Sequence, residues 1–513
     1  MDRLPQEVID RIAALLPDVK LVMTAQPPTP SPYIPRKSPS MMEKLVSKVR
    51  RESADPKRHK QGNAPSEPKP TYWTRASAAA VSHKWQRAIE PVVYSRLHLG
   101  YLGLEKLKSA LERRPERRAY LRSLTVVLAL TTDHHHWTEL GVKDDFLAPL
   151  FSVLGSDTQR AAVDLTLRFE AGHPDLRHRA RHGIVLDRNR SNPLGVAVCV
   201  RRLDFTLPVP KAERDRRNVL QLHLTDQARL IAHFPNLQSV AWHCAESESQ
   251  AERDAAREGF ANHIAAHLPL RRQIKQVSLT LSVGPLGARI CAPSSVGADS
   301  YENLYAKLRV ATAHVTDLRY AGVVGPSFFQ DSDGGGGMQW RALRSLTIGM
   351  AMLTPTGQFY FDRDVGINAG GELDTPLDWR HAESVPLPPQ HALWFRTEPN
   401  AATMTPLLRA FAELLERLPA LQGAQLLARR EPLPGTRLPW AVCYFAPGRT
   451  SNDWVGGSEL DIERPRIWFV TGRCWPADDL VQEFRSAGRR AGHGQDASVI
   501  HWSTLEGPVR IGL

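Results

Sequence analysis

Ile274-Lys275-Gln276-Val277-Ser278-Leu279-Thr280-Leu281-Ser282 contains the pattern from which the architecture of this chain can be inferred. Apolar and polar residues alternate from Val277 to Leu281, which is typical of a β-strand with one buried face. The same spacing of apolar residues recurs along the chain. Further copies are Leu121-x-x-Leu124-x-Val126, Val163-x-Leu165-x-Leu167, Val200-x-x-Leu203-x-Phe205-x-Leu207, Leu237-x-x-Val240-x-Trp242 and Leu343-x-x-Leu346-x-Ile348.

Amphipathic segments with helical spacing alternate with these strands. They are Leu102 to Arg114, Asp145 to Leu154, Thr225 to His233, Ala261 to Leu268, Thr405 to Leu418 and Asp478 to Arg489. Helices that alternate with short strands indicate parallel strands with helices packed outside them. The sequence therefore predicts an α/β fold for the region after residue 100.

The recurring strand motif resembles that of a leucine-rich-repeat horseshoe, which would place parallel strands inside and helices outside. The fit is irregular. The anchors Leu124, Leu165, Leu203, Leu237 and Val277 lie 41, 38, 34 and 40 residues apart, whereas regular repeats are about 20 to 29 residues long. We therefore expect an irregular, loop-decorated solenoid over residues 100–513, with a Trp-rich part from about residue 340. An ordinary doubly wound sheet is the alternative.

Two short amphipathic segments stand near the start of the chain. The first opens with Leu4-Pro5-Gln6-Glu7, and Pro5 suits the first turn of a helix. Its apolar stripe consists of Val8, Ile12, Leu15 and Leu16. The second contains Val81-Ser82-His83-Lys84-Trp85, with Ala88 and Ile89 continuing the apolar face. Because neither helix can bury much surface alone, each needs a partner.

The Leu-Pro-x-Glu and Val-Ser-x-x-Trp segments together resemble an F-box, and more specifically the F-box of filamentous-fungal proteins. That resemblance implies docking onto the Skp-type adaptor of an SCF ubiquitin ligase, and through the adaptor onto a cullin. It assigns adaptor binding to Leu4, Pro5, Val8, Ile9, Ile12, Leu16, Val81 and Trp85. An ordinary helical hairpin that caps the next domain is the alternative.

A long insertion separates the two F-box halves. From Gln26 to Pro70 it contains ten prolines, ten Lys or Arg and four Asp or Glu. So many prolines, with few large apolar side chains, predict a disordered segment. The expected organisation is a first F-box half at residues 1–26, the insertion at 27–71, a second F-box half at 72–99 and the solenoid at 100–513.

Composition narrows the class of protein. The insertion contributes +6 of the formal charge of +12, so the sequence predicts a basic tail and no basic face on the folded part. The chain contains no apolar run approaching the ~20 residues that span a bilayer, and no signal peptide is recognisable. Its five cysteines are scattered and odd in number, which favours a reducing compartment. We expect a cytoplasmic or nuclear protein that binds no membrane and no nucleic acid.

The sequence contains little that suggests catalysis. It lacks a phosphate-binding Gly-x-x-x-x-Gly-Lys loop, a Gly-x-Ser-x-Gly elbow and a Cys-x-x-Cys pair. Gly334 to Gly337 fits a flexible loop. His134 to His136 are adjacent and would point in different directions, which disfavours a shared metal. We therefore predict a non-catalytic protein without a cofactor or metal.

Eight of the twelve tryptophans lie after residue 339. Tryptophan and arginine are enriched at binding hot spots, although core packing is the commoner role of any single tryptophan. Target binding is therefore assigned to the C-terminal half, at Trp394, Arg396, Trp468 and Arg473. These expectations describe the substrate-recognition subunit of an SCF-type ligase. The alternative is a repeat-type interaction scaffold with a degenerate F-box that acts outside any ligase.

Deletion of residues 27–71 tests the predicted dispensability of the insertion. Because the segment has little apolar surface to bury, replacing it by a short Gly-Ser linker is expected to leave the melting temperature and the adaptor affinity nearly unchanged. Calorimetry of both chains, with and without adaptor, measures both quantities. A fall of many degrees in melting temperature would show that the insertion packs against the fold.

Overall fold

A computed structural model describes most of the chain after residue 82, and it has an α/β fold. The described ranges are 83–130, 141–142, 147–155, 162–171, 185–186, 195–205, 219–220, 222–246, 249–282, 298–330, 340–363, 396–428, 440–449, 462–471, 476–489, 494, 496–503 and 507–510. The first F-box half, residues 1–26, and the insertion, residues 27–71, lie outside them. So do His134 to His136 and Gly334 to Gly337.

The described helices alternate with strands, as the sequence predicts. The helices are α1 His83–Ser95, α2 Tyr101–Arg113, α3 Ala148–Leu154, α4 Leu224–Leu230, α5 Gln250–His267, α6 Ala298–Ala311, α7 Ala401–Arg417 and α8 Asp478–Gly488. Short 3-10 helices cover Pro115–Tyr120, Ile231–His233 and Pro326–Phe328.

Most of the described strands belong to one large sheet. Its strands are β1 Arg96–Gly100, β2 Ser123–Leu130, β4 Val163–Ala171, β6 Val200–Asp204, β7 Val219–Leu220, β8 Ser239–Ala245, β9 Gln276–Ser282, β10 Asp317–Gly322, β11 Ser345–Met350, β14 Gly423–Ala428, β15 Trp440–Phe445, β16 Arg466–Val470, β17 Ser498–Ser503 and β18 Gly507–Arg510. Two small pairs complete the set, β3 Gly141–Val142 with β5 Val185–Leu186, and β12 Phe361–Arg363 with β13 Arg396–Pro399.

The order of strands in the large sheet follows the order of the chain. The sheet runs β1-β2-β4-β6-β8-β9-β10-β11-β14-β15-β16-β17-β18, and β7 pairs with β4 at the side. Neighbours from β1 to β14 are parallel, whereas β14–β15, β15–β16 and β17–β18 are antiparallel. A doubly wound sheet instead reverses its strand order at a switch point. The described sheet has no such reversal, so the doubly wound alternative does not describe it.

One row of buried residues crosses nine parallel strands in register, and we call it the apolar ladder. Its members are Leu97, Leu124, Leu165, Leu203, Val240, Val277, Leu318, Leu346 and Ala424. None is more than 4% exposed. A shift of one residue in the pairing would move every side chain of a strand to the opposite face of the sheet. This buried row therefore fixes the pairing register.

In four copies of the repeated motif, the first apolar position lies in a turn, two residues before the strand begins. Leu121, Leu237, Ile274 and Leu343 are buried there, and each backbone N–H donates to the carbonyl three residues earlier. The sequence analysis counted Leu237 among the anchors of the repeat, and that assignment was therefore wrong. The ladder residue is Val240, 37 residues after Leu203 and 37 before Val277.

The helices pack against the face of the sheet that contains the apolar ladder. Leu107 of α2, Phe260 of α5, Leu308 of α6 and Leu407 of α7 belong to the same buried cluster as the ladder. The opposite face of β9 and β10 is half-buried or exposed. One face of this part of the sheet is therefore the core, and the other is open.

Several expected elements differ from the observed ones. Helix α5 begins at Gln250, whereas the sequence analysis placed its start at Ala261. Helix α6 was not expected, although Tyr301, Leu304, Tyr305 and Leu308 have helical spacing and are all buried. The expected boundary between residues 99 and 100 falls inside β1, because α1 ends at Ser95 and β1 begins at Arg96. The segment predicted to be the second F-box half, residues 72–99, therefore includes most of the first strand of the sheet.

Within the described ranges, no helix is both long and apolar enough to cross a bilayer.

The apolar ladder can be tested on the central strand β10. Replacing Leu318 by Ala removes a side chain with 0% exposure and is expected to lower the free energy of unfolding by about 2 to 5 kcal/mol. Arg319 is exposed on the other face of the same strand. Arg319→Ala is the matched control and should cost under about 0.5 kcal/mol. Urea unfolding measures both. Equal effects would contradict the assignment of the buried face.

Candidate functional site

The segment predicted to be the second F-box half leads directly into the sheet. Helix α1 contains Trp85 and continues to Ser95, whose carbonyl accepts a hydrogen bond from Arg122 N at 3.0 Å, just before β2 begins. Ile89, in the middle of α1, is 0% exposed. No linker separates α1 from β1, so the orientation of the helix is set by the end of the sheet.

A cluster around Glu90 fixes α1 against the following 3-10 helix. The Glu90 carboxylate accepts hydrogen bonds from Gln86 Nε2 at 2.8 Å, from Arg114 Nη1 at 3.3 Å and from Arg117 Nη2. The Arg117 guanidinium also stacks over the ring of Tyr94, 4.9 Å from its centroid. We call these five residues the Glu90 clamp.

The centre of the Glu90 clamp is shielded from water, whereas the Arg114 side chain is 38% exposed. The side chains of Glu90 and Arg117 are 10% and 13% exposed. Burial acts to lower the pKa of Arg117, but the hydrogen bond to Glu90 and the attraction of Tyr94 and Glu90 outweigh it and raise that pKa. Burial also raises the pKa of Tyr94. A buried carboxylate that satisfies two arginines is costly to remove, because each arginine would lose its partner.

Most of the residues assigned to adaptor binding lie outside the described ranges. These are Leu4, Pro5, Val8, Ile9, Ile12, Leu16 and Val81. The backbone of Trp85 lies in the first turn of α1, and its side chain is not among those described. The structure therefore describes only the last part of the predicted adaptor-binding segment, from residue 83 onward.

The four residues assigned to target binding do not form one described surface. Trp394 and Arg473 lie outside the described ranges, and Arg396 begins β13, its side chain undescribed. Trp468 is 0% exposed and packs with Ala441, Cys443 and Val470. The hypothesis that Trp468 contacts a target is therefore corrected: its side chain is part of a buried cluster in the sheet.

Two further tryptophans of the C-terminal half are also buried. Trp340 is 2% exposed and donates from Nε1 to Thr312 Oγ1 at 2.8 Å, while Trp440 is 4% exposed. Core packing therefore explains every C-terminal tryptophan whose side chain the structure describes. Trp440 and Trp468 lie in β15 and β16, in which every residue is buried.

The open face of the sheet, from β1 to β11, is lined by polar and small side chains. One row crosses the strands in register and consists of His98, Thr125, Thr166, Asp204, Ala241, Ser278, Arg319 and Thr347. All of them are half-buried or exposed. The next member of the row, Gln425 of β14, is buried, followed by Cys443 and Trp468. The open face thus ends between β11 and β14.

A buried polar network at the carboxyl end of β8 was missed by the sequence analysis. Arg257 of α5 donates to Glu246 Oε1 at 2.7 Å and to the Tyr301 hydroxyl at 2.7 Å, and Tyr301 donates to Glu246 Oε2 at 3.0 Å. Burial acts to lower the pKa of Arg257, but the hydrogen bond to Glu246 and the attraction of Tyr301, Glu246 and Tyr320 together outweigh it and raise that pKa. The network is closed and buried, so it joins α5 to α6 and has a structural role.

The described cysteines are poorly suited to nucleophilic chemistry. Burial raises the pKa of Cys199 to about 11 and those of Cys244 and Cys443 to about 12. Such thiols stay protonated at neutral pH and are unreactive. Among the described residues, no three His, Cys, Asp or Glu side chains come together in a way that could hold a metal ion.

Comparisons with known proteins gave no match: no protein-family model, curated protein or solved structure matches this chain.

The Glu90 clamp generates a testable prediction. Glu90→Gln keeps the shape of the side chain but removes the negative charge that Arg114 and Arg117 contact. We expect the free energy of unfolding to fall by about 1 to 3 kcal/mol. Glu105→Gln, at an exposed position of α2, is the matched control and should change it by under about 0.5 kcal/mol. Indistinguishable urea midpoints for the two variants would show that the clamp does not stabilise the junction.

Proposed function

We propose that this chain is the substrate-recognition subunit of an SCF-type cullin-RING ubiquitin ligase. The observation that carries the proposal is the junction at α1. The Val81-Ser82-x-x-Trp85 segment, which resembles the second part of an F-box, enters a helix that the Glu90 clamp joins to the 3-10 helix Pro115–Tyr120, just before β2. A substrate receptor needs such a connection between its adaptor-binding end and its target-binding end.

The sheet supports the second part of the proposal, an irregular leucine-rich-repeat-like horseshoe. Parallel strands added in chain order, with an apolar ladder on the helix side, are the arrangement expected of a solenoid. Two of the eight ladder intervals, Leu97 to Leu124 and Leu318 to Leu346, span 27 and 28 residues. These intervals fall within the usual length of a leucine-rich repeat, about 20 to 29 residues. The other intervals are longer.

The proposed contribution to ubiquitin transfer is proximity. The F-box would bind the adaptor and through it the cullin, while the open side of the sheet would bind the target. Holding a target lysine near a ubiquitin-charged enzyme raises its effective concentration without any change in bond chemistry. This role requires no catalytic residue in the chain.

The proposal predicts that the Leu-Pro-x-Glu segment contributes to the adaptor interface. Replacing Pro5 and Ile9 together by Ala is expected to weaken adaptor binding by a few kcal/mol, because apolar anchors at the centre of an interface dominate its affinity. Isothermal titration calorimetry with purified adaptor measures the change. Gln6→Ala, at the variable position of the same motif, is the control and should bind almost as tightly as the natural chain.

Two results would count against the proposal. The first is full-strength adaptor binding by a folded Pro5→Ala, Ile9→Ala variant. The second is no adaptor binding by the natural chain, which would favour an interaction scaffold that acts outside any ligase.

A further inference from the structure

Basic side chains are concentrated at the amino ends of the strands, along an edge that we call the basic edge. Its exposed members are Arg96, Arg122, Arg202, Arg272, Lys275, Arg341 and Arg344. Arg201 and Arg271 are half-buried there. The acids among the strand-entry residues of β1 to β11 are Asp164 and Asp317. The sequence analysis predicted no basic face on the folded part. That prediction relied on net charge, which also counts the Asp and Glu side chains that lie away from this edge.

The register places four of these residues on alternate strands. Arg122, Arg201, Lys275 and Arg344 occupy the position just before the paired segments of β2, β6, β9 and β11. One strand separates each from the next, namely β4, β8 and β10 in turn. Since adjacent strands lie about 4.7 to 4.9 Å apart, the positive charges repeat about every 9.5 Å along the edge.

Except for Arg202, the exposed cations on this edge form no ion pair within the described part of the protein. Asp164 pairs with Arg202 at 3.6 Å, and Asp317 accepts a hydrogen bond from Thr316 at 2.7 Å. In the described ranges, Arg122, Lys275 and Arg344 form no ion pair. An exposed row of unpaired cations raises the local concentration of an anionic partner.

Interaction with the negative ends of helix dipoles explains some of the basic side chains on this edge, but not all of them. Helix carboxyl ends carry partial negative charge, and Arg271 caps carbonyl groups directly, donating to Phe234 O at 3.0 Å and to Ala232 O at 3.1 Å. The side chains of Lys275 and Arg344 make no such contact among the described residues. They are exposed and stand at strand entries, where an external partner can reach them.

We propose that the basic edge binds an extended acidic polypeptide segment that runs across the strands. In the substrate-receptor role, which rests on the function proposed above, this segment belongs to the degradation target. A chain in the polyproline II conformation has three residues per turn and rises about 3.1 Å per residue, so acidic residues at every third position recur about every 9.3 Å. That period matches the alternate-strand spacing of the basic edge.

The exposed side chains favour a polypeptide ligand over single-stranded nucleic acid. Sites for single strands combine positive charge with aromatic platforms on which the bases stack. The large exposed apolar side chains in the described ranges are Leu102, Val196, Leu270 and Val310, none of them aromatic. Gln238 and Thr316 stand between the cations on β8 and β10 and can bond to a peptide backbone.

Fluorescence anisotropy with the full chain tests the proposal. The probe is a labelled peptide of about 18 residues, rich in proline, with Glu at every third position. The control peptide has Gln at those positions. The natural chain should bind the Glu peptide, in a salt-sensitive way, and should bind the Gln peptide at least about tenfold more weakly. Lys275→Glu combined with Arg344→Glu should weaken binding of the Glu peptide at least about tenfold.

The matched control is Lys106→Glu combined with Lys108→Glu on α2, which changes the net charge by the same amount at another site. It should bind the Glu peptide within about twofold of the natural chain. Equal losses in both variants would overturn the proposal, since general electrostatic attraction would then explain the binding. No binding by the natural chain would also overturn it, as would tighter, competing binding of duplex DNA of similar length.

Adaptor binding by the same variants separates this inference from the proposed function. Lys275→Glu with Arg344→Glu should keep the adaptor affinity of the natural chain. If the adaptor binds but the Glu peptide does not, the basic edge alone is misassigned. If the peptide binds but the adaptor does not, the ligase role fails and the acidic-segment site stands.

Discussion

The apolar ladder is the constraint on which the rest of this structure depends. Nine parallel strands place one buried residue each in a single row, from Leu97 to Ala424. Each apolar side chain contributes about 1.5 to 3 kcal/mol through burial, but its larger effect is on register. A strand that slipped by one residue would bury its polar face and expose its apolar one. The row therefore determines which side of the sheet binds the helices and which side stays open.

The order of strands in the sheet follows the order of the chain, and this has two consequences for binding. With the helices on the ladder side, the other face from β1 to β11 is left to polar side chains such as Thr166 and Ser278. The strand entries also line up along one edge, so residues far apart in sequence, such as Lys275 and Arg344, become members of one surface. Beyond β11 the second face becomes apolar and buried, and Trp468 belongs to it, whereas Trp440 belongs to the main core with the ladder.

The amino-acid sequence was sufficient to predict the fold class. It was insufficient to predict which residues form the candidate binding surfaces. Alternation at Val277, Leu279 and Leu281 predicts a strand buried on one face, because period-two burial leaves a direct trace in the residue order. The turn residue Leu237 looks the same in sequence as a ladder residue, so the repeat was misaligned there. Whether Trp468 is exposed depends on a pairing of β16 with β15 and β17, which local patterns do not encode. The basic edge arises only once the register is known.

The central proposal is that adaptor docking and target binding occupy separate parts of the chain, joined at the Glu90 clamp. Hydrogen–deuterium exchange of the full chain, with and without the Skp-type adaptor, tests it most directly. The account predicts slowed exchange in residues 4–16 and 81–95, and unchanged exchange at the amino ends of β9 and β11. No change anywhere, or protection along the basic edge in place of the two F-box segments, would contradict it.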